Sequence, residues 1–318
     1  MIAPSAGPPR RDIAQQKEAS RMRSYRIVLI VLSVLALVAV APEAQAASTP
    51  ITSCGQTVTT SAVLMQDLVC TGSGVVVGAP GVKVNLNGFT IRGDNGGGDY
   101  GVDTGLFNDV TVENGALRNF QTGVWADGGQ NVTVSKVVTS GNTQDGILIA
   151  AGSSSVSSST STGNGHYGVY VLVDSVRISS VTASENADYG VFVGGDFAQI
   201  KSAKVSCNGN SGVFVDGDSA RITSLTDDGN AGDGILVTGN FAAISSSTAD
   251  GNDSNGIEVV GESASVKGNH ADGNSYPGGA SDLGGLGIFV TSSTIGPVGK
   301  NTALGNDGAT ECFPTSLC

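Results

Sequence analysis

From residue 119 to residue 274 the apolar and polar positions of the chain recur with a step of 22. Asparagine stands at Asn142, Asn164, Asn186, Asn208, Asn230, Asn252 and Asn274, and Asn119 extends the series after one extra residue. Four residues after most of them comes Gly-Val/Ile-x-Val/Ile, led by Gly123, Gly146, Gly168, Gly190, Gly212, Gly234 and Gly256. Alternate side chains of a strand point the same way. The pairs Ile147/Ile149, Val169/Val171, Val191/Val193, Val213/Val215, Ile235/Val237 and Ile257/Val259 therefore predict one short strand per repeat with a buried side. Val156, Ile178, Ile200, Ile222, Ile244 and Val266 predict a second strand, and small apolar residues near Val181, Ala203 and Leu225 a third. One such repeat cannot bury its apolar edge alone, but stacked repeats form a continuous core. The expected fold is all-β, a right-handed parallel β-helix solenoid of about 22 residues per coil with three short strands in each, the hand following the general rule for parallel crossovers. The glycines are expected to supply positive φ at the corners, and the asparagines to satisfy corner backbone and one another.

Other solenoids fit less well. Left-handed β-helices use hexapeptides, and 22 is not a multiple of six. Leucine-rich repeats place Asn after a Leu-rich strand, whereas here Asn precedes the strand and Leu is scarce.

Composition agrees with many short strands and tight turns. Glycine, 47 of 318 residues, is about twice its average usage of roughly 7%. Hydrophobic residues make up 39% and charged residues only 14%, unlike a disordered chain. Arg23 and Arg26, the apolar run from Ile27 to Ala41 and Ala44-Gln45-Ala46 have the form of a secretory signal peptide cleaved after Ala46. A start at Met22 would make that signal compact. The expected organisation is a signal at 1–46, an N-terminal cap with the first coils at 47–100, repeats at 101–295 and a C-terminal cap at 296–318. No stable membrane span remains after cleavage, and the mature chain is expected outside the cytoplasm of a bacterium, secreted or at the cell surface.

Five cysteines suit an oxidising compartment. Local pairing of Cys54 with Cys70 and of Cys312 with Cys318 would staple the two ends, leaving Cys207 in a turn slot that other repeats fill with Gly163, Gly229 and Gly251. Beyond Ala46 stand 10 basic and 25 acidic residues, a net charge of about −15. Such a surface repels nucleic acid and anionic membranes, and repels an acidic polysaccharide unless a cation bridges the two.

The Asn…Gly-Val-x-Val coil resembles the right-handed parallel β-helix repeat of the pectin-lyase-like superfamily. The stretch from Cys54-Gly55-Gln56 to Cys70, followed by Val82-Lys83-Val84-Asn85-Leu86-Asn87-Gly88-Phe89-Thr90-Ile91, is similar to the N-terminal cap of secreted bacterial members. The resemblance implies the fold. It leaves function open among lyases, hydrolases, mannuronan epimerases, tailspike-like depolymerases and non-catalytic surface proteins.

Candidate chemistry lies in columns. The outward residue of each glycine-led strand is Trp125, Leu148, Tyr170, Phe192, Phe214, Leu236 or Glu258, with Phe289 after an insertion that begins at Ser275. Stacked aromatics favour strands, and their faces also suit sugar rings. Just before each glycine stand Asp145, Tyr167, Tyr189, Ser211, Asp233 and Asn255, with His166 and Asp188 adjoining. A lyase or epimerase needs a base, an acid and a group that neutralises the uronate. His166, Tyr167 and Tyr189 are the candidates for proton transfer, with Arg177 and Lys201 for charge. The resemblance to polygalacturonases stops at fragments in the wrong order: Asp227-Asp228, Gly165-His166-Tyr167 and Arg177-Ile178-Ser179. The Asp-Pro-His-Glu motif of mannuronan epimerases is absent. Asp174, Asp196 and Asp218 share one corner, and Asp228, Asp250 and Asp272 another; carboxylates stacked at about 4.8 Å repel, so both columns are candidates for Ca²⁺. The leading expectation is a carbohydrate- or surface-binding protein that uses the aromatic face. A polysaccharide lyase, epimerase or hydrolase is the alternative, and a structural cell-surface module the third reading.

Overall fold

The computed structural model describes residues 48–276, 285–291, 299–307 and 310–318. The expected export signal and most of the insertion after Tyr276 lie outside them. The described chain is a stack of coils in which every strand pairs parallel with the equivalent strand of the next coil. The glycine-led strands form a sheet of 12, running from Gln56–Val58 to Cys312–Phe313. The second and third strands of the coils form two further ladders. They are joined where Thr111–Arg118 and Thr133–Ser140 run unbroken through the corner between them. Registers advance by 22, as in Val169↔Val191 and Ile178↔Ile200.

Inward residues of the three ladders make one continuous core. Val169, Val171, Val191, Val193, Ile178 and Ile200 are all essentially fully buried. The third strands lie two residues beyond the expected apolar positions. Val181, Ala203 and Leu225 are buried at the corner, and the inward strand residues are Ala183, Val205, Asp227 and Ala249. A carboxyl group thus sits inside the solenoid. Asp227 Oδ1 accepts from Asn230 Nδ2 at 3.0 Å, while Oδ2 has no partner. Burial pushes this carboxyl well above the usual range, against the opposing hydrogen bonds of Asn252 and Asn230. Asp227 therefore belongs to the core and not to a surface pair with Asp228.

The asparagine column is buried and bonded from coil to coil. From Asn164 onward each Oδ1 accepts from both the backbone N–H and Nδ2 of the Asn one coil earlier, as from Asn142 to Asn164 and from Asn186 to Asn208. Asn142 Oδ1 accepts instead from the Phe120 backbone N–H, so Asn119, expected to extend the column, stands one residue before it. The Nδ2–Oδ1 distances run from 2.8 Å to 3.1 Å along the column to Asn274, which donates to Asn306. These bonds satisfy amides that a buried turn would leave without water.

The glycines leading the strands do not supply positive φ, contrary to expectation. They supply space. A Cβ on Gly190 would lie 2.5 Å from Val205 Cγ1 and 2.8 Å from the Gly212 carbonyl, and one on Gly168 would lie 2.5 Å from the Gly190 carbonyl. Positive φ belongs instead to the residue before each Asn: Gly141, Gly163, Gly229, Gly251 and Gly273, with Asn119, Glu185 and Cys207 in the same slot. Cys207 is a free, exposed thiol. The disulfides Cys54–Cys70 and Cys312–Cys318 close the two ends.

Candidate glycan-binding face

The outward side of the glycine-led sheet gathers the aromatic columns. Register places Trp125, Leu148, Tyr170, Phe192, Phe214, Leu236 and Glu258 in one row. Tyr167 and Tyr189, just before their glycines, lie beside it. Their rings form a plate over three neighbouring coils of the sheet. Tyr167 meets Tyr170 at 4.5 Å, Tyr189 at 5.6 Å and Phe192 at 5.4 Å between centroids; Phe214 meets Phe192 at 5.2 Å and Tyr189 at 5.4 Å. All five are half-buried, so the plate is both packed and accessible. Trp125 stacks on Tyr100 at 4.6 Å, with Leu148 buried between it and the plate. Phe289 is not part of the accessible face. It is buried, and Phe313, its register partner in the last strand, packs against it at 5.6 Å.

Carboxylates bound the plate at both ends. At one end His166 is held between two coils, Nδ1 3.0 Å from Asp145 Oδ1 and Nε2 3.5 Å from Asp188 Oδ2, with its ring 3.7 Å from that of Tyr167. Burial raises the Asp145 carboxyl, opposed by the Tyr167 backbone N–H and by His166. Asp188 also accepts from Asn210 Nδ2 at 3.0 Å. At the other end Asn255 joins two acids: its backbone N–H donates to Asp233 Oδ1 at 2.9 Å and its Nδ2 to Glu258 Oε2 at 2.7 Å. Burial raises both acids.

The phenols lie above the ordinary tyrosine range. Burial, then Asp188 and the neighbouring tyrosines, push Tyr167 up to about 12. Burial also raises Tyr170 and Tyr189. At neutral pH these hydroxyls are protonated and can donate hydrogen bonds. Among the described residues the face holds no lysine or arginine. Arg177 and Lys201 lie on the second ladder, and none of the ten basic residues beyond Ala46 falls in a glycine-led strand. Tyr167, Tyr189 and His166 are thus brought together, while the residues considered for charge neutralisation point elsewhere.

The acidic columns are built into the corners. Asp174 Oδ1 accepts from the Asp196 backbone N–H at 2.8 Å, and Asp196 Oδ1 from that of Asp218 at 2.7 Å. Asp250 Oδ1 likewise accepts from Asp272 at 2.9 Å, and His270 Nε2 lies 3.1 Å from Asp272 Oδ2. Asp228 ends its strand, exposed, in register with Asp250. Among the described residues no group of three or more His, Cys, Asp or Glu is placed to hold a metal ion.

The fold and this face define a class: a disulfide-closed parallel β-solenoid with a carboxylate-bounded aromatic surface on one sheet. A family profile described as "Right handed beta helix region" matches residues 72–224 and 145–307. The chain belongs to that family, and its coils are right-handed. No curated protein sequence matches it. Among solved structures it is similar to the A-module of the mannuronan C-5 epimerase AlgE4 of Azotobacter vinelandii, with a TM-score of 0.60 and 16% identity over 81% of this chain and 85% of that one. It is also similar to the catalytic unit of a GH87 α-1,3-glucanase from Streptomyces thermodiastaticus strain HF3-3, with a TM-score of 0.51 and 13% identity over 84% and 70% of the two chains. At such identities the likeness is one of fold.

Proposed function

We propose that this protein acts outside the cytoplasm as a polysaccharide-binding solenoid, and that its ligand is a neutral glycan laid along the glycine-led sheet. The observation that carries this reading is the plate of Tyr167, Tyr170, Tyr189, Phe192 and Phe214. Aromatic faces take up the apolar faces of pyranose rings, and the flanking tyrosine hydroxyls, Asp188 and Glu258 offer donors and acceptors to sugar hydroxyls. The charge distribution favours a neutral glycan over a uronic one. A uronate would meet the carboxylates of Asp188 and Glu258, with the buried Asp145 and Asp233 behind them, and no lysine or arginine on the face. Disulfides at both ends and the signal-like N-terminus support the compartment.

The test is a screen of the purified chain against neutral and uronic polysaccharides, with and without Ca²⁺, reading binding and product release together. Saturable binding of a neutral glycan that weakens about tenfold in Phe192→Ala or Tyr170→Ala supports the reading, since a lost aromatic contact is worth roughly 0.5–1.5 kcal/mol beyond its area. New reducing ends or unsaturated products would replace it with an enzyme and direct attention to His166 and Tyr167. Binding that survives both substitutions would move the site off this face.

A further inference from the structure

Away from the aromatic face, the third ladder opens a hollow of about 420 Å³ in its first coils, among Asp67, Val69, Arg92, Arg118, Asn119 and Ser140. Arg92 and Arg118 are register partners on neighbouring coils, about 4.8 Å apart at the backbone. Their neighbours Ile91 and Leu117 are fully buried in the core, so alternation turns both arginines outward on the same side. Like charges directly opposite each other weaken a sheet. Among the described residues neither arginine has a carboxylate within ion-pair distance; the pairs formed are Lys83–Glu113 and those of His166 and His270. Asp67, in the same hollow, has Oδ1 bonded to the Thr90 backbone N–H at 2.8 Å. Two unneutralised guanidinium groups side by side stand out on a chain with 25 acidic and 10 basic residues beyond Ala46.

The geometry points to Arg92 and Arg118 as an anion-binding site that takes a carboxylate or sulfate group between the two guanidinium forks. Guanidinium matches both groups through paired N–H donors. The Ser140 hydroxyl, next in the same register column, supplies a further donor at the edge. The site is separate from the aromatic face and does not depend on what that face binds. Its ligand is either a free inorganic anion or the acidic group of a saccharide.

The purified chain is titrated by calorimetry at low ionic strength with sodium sulfate and, separately, with trigalacturonate. The expected result is saturable binding of at least one probe, weakened roughly tenfold by Arg92→Gln or Arg118→Gln and lost in the double variant. Lys201→Gln/Lys204→Gln, which removes the same charge elsewhere, should bind as the wild type does. Added NaCl should weaken the interaction. Binding of trigalacturonate alone assigns a saccharide carboxylate; binding of sulfate assigns an anion of that shape from solution. Both arginines are exposed, so the variants should melt as the wild type does. Failure of both probes to saturate the wild type, or undiminished binding by the double variant, would overturn the assignment.

Discussion

Replacing Asn208 by alanine tests whether the asparagine column holds the coils together. Asn208 Oδ1 accepts from the Asn186 backbone N–H at 3.1 Å and from Asn186 Nδ2 at 3.0 Å. Its Nδ2 donates to Asn230 Oδ1 at 2.9 Å and to the Ala183 carbonyl at 3.2 Å. In Asn208→Ala the Asn186 N–H, buried under its own coil, loses its acceptor. An orphaned buried donor costs about 1–3 kcal/mol. Asn186 Nδ2 keeps the Ser161 carbonyl and Asn230 Oδ1 keeps the Asn208 backbone N–H, so the other lost bonds count at about 0.5–1 kcal/mol each. The expected loss is roughly 3–5 kcal/mol. Urea melts followed by far-UV circular dichroism measure it. Because each coil contacts only its neighbours, the damage should be local and broaden the transition. Asn208→Asp is the companion: it keeps the acceptor, loses the donor and sets a carboxylate oxygen against Asn230 Oδ1. It should be destabilised at neutral pH and partly recover in acid, where the carboxyl can donate. A loss below about 1 kcal/mol in Asn208→Ala would show that the column is decoration on a core that holds without it.

Asp227→Val, which installs the residue found at this register one coil earlier, should stabilise the protein by about 1–3 kcal/mol at neutral pH by removing an unsatisfied carboxyl oxygen. Since burial raises the folded-state carboxyl, wild-type stability should be fully present below the ordinary carboxylate range and fall as pH rises from there through the raised value. Melts from acid to neutral pH should show that fall in the wild type and not in the variant; parallel curves would place Asp227 in contact with water. Gly190→Ala, whose Cβ would meet Val205 and the Gly212 carbonyl, should cost about 1–3 kcal/mol through overpacking. Gly163→Ala, with open space but φ +62°, should cost about 1–2 kcal/mol through backbone strain. A second substitution separates the causes: Gly163→Asn should recover most of its loss, Gly190→Asn none, and thermal melts decide.

The repeat itself was written in the order of residues. A column of Asn every 22 positions, β-branched pairs five and seven residues later and a second β-branched column are enough to specify stacked parallel coils, because stacking them buries all three. The aromatic row was legible for the same reason: a constant period carries register. Where the period breaks, the sequence loses this power. Arg92 and Arg118 are 26 residues apart, off the repeat, and only the longer first coils bring them into register. Phe289 reads as exposed by its column, yet the chain returns after the insertion and lays Phe313 on it. The placement of Asp227 turned on a two-residue shift of the third strand, and such a shift is invisible where small and polar residues alternate. The glycine columns were visible, but not their purposes: positive φ and lack of room both select glycine, and only the distance to the next coil tells them apart. The clamp of Asp145, His166 and Asp188 likewise needed three coils stacked in space, since hydrogen bonds depend on angles and separations that a linear spacing does not contain. Sequence by itself thus determined the coil, its core and the row of aromatics; tertiary structure decided which of those side chains water still reaches, which are covered, and which charges stand without a partner.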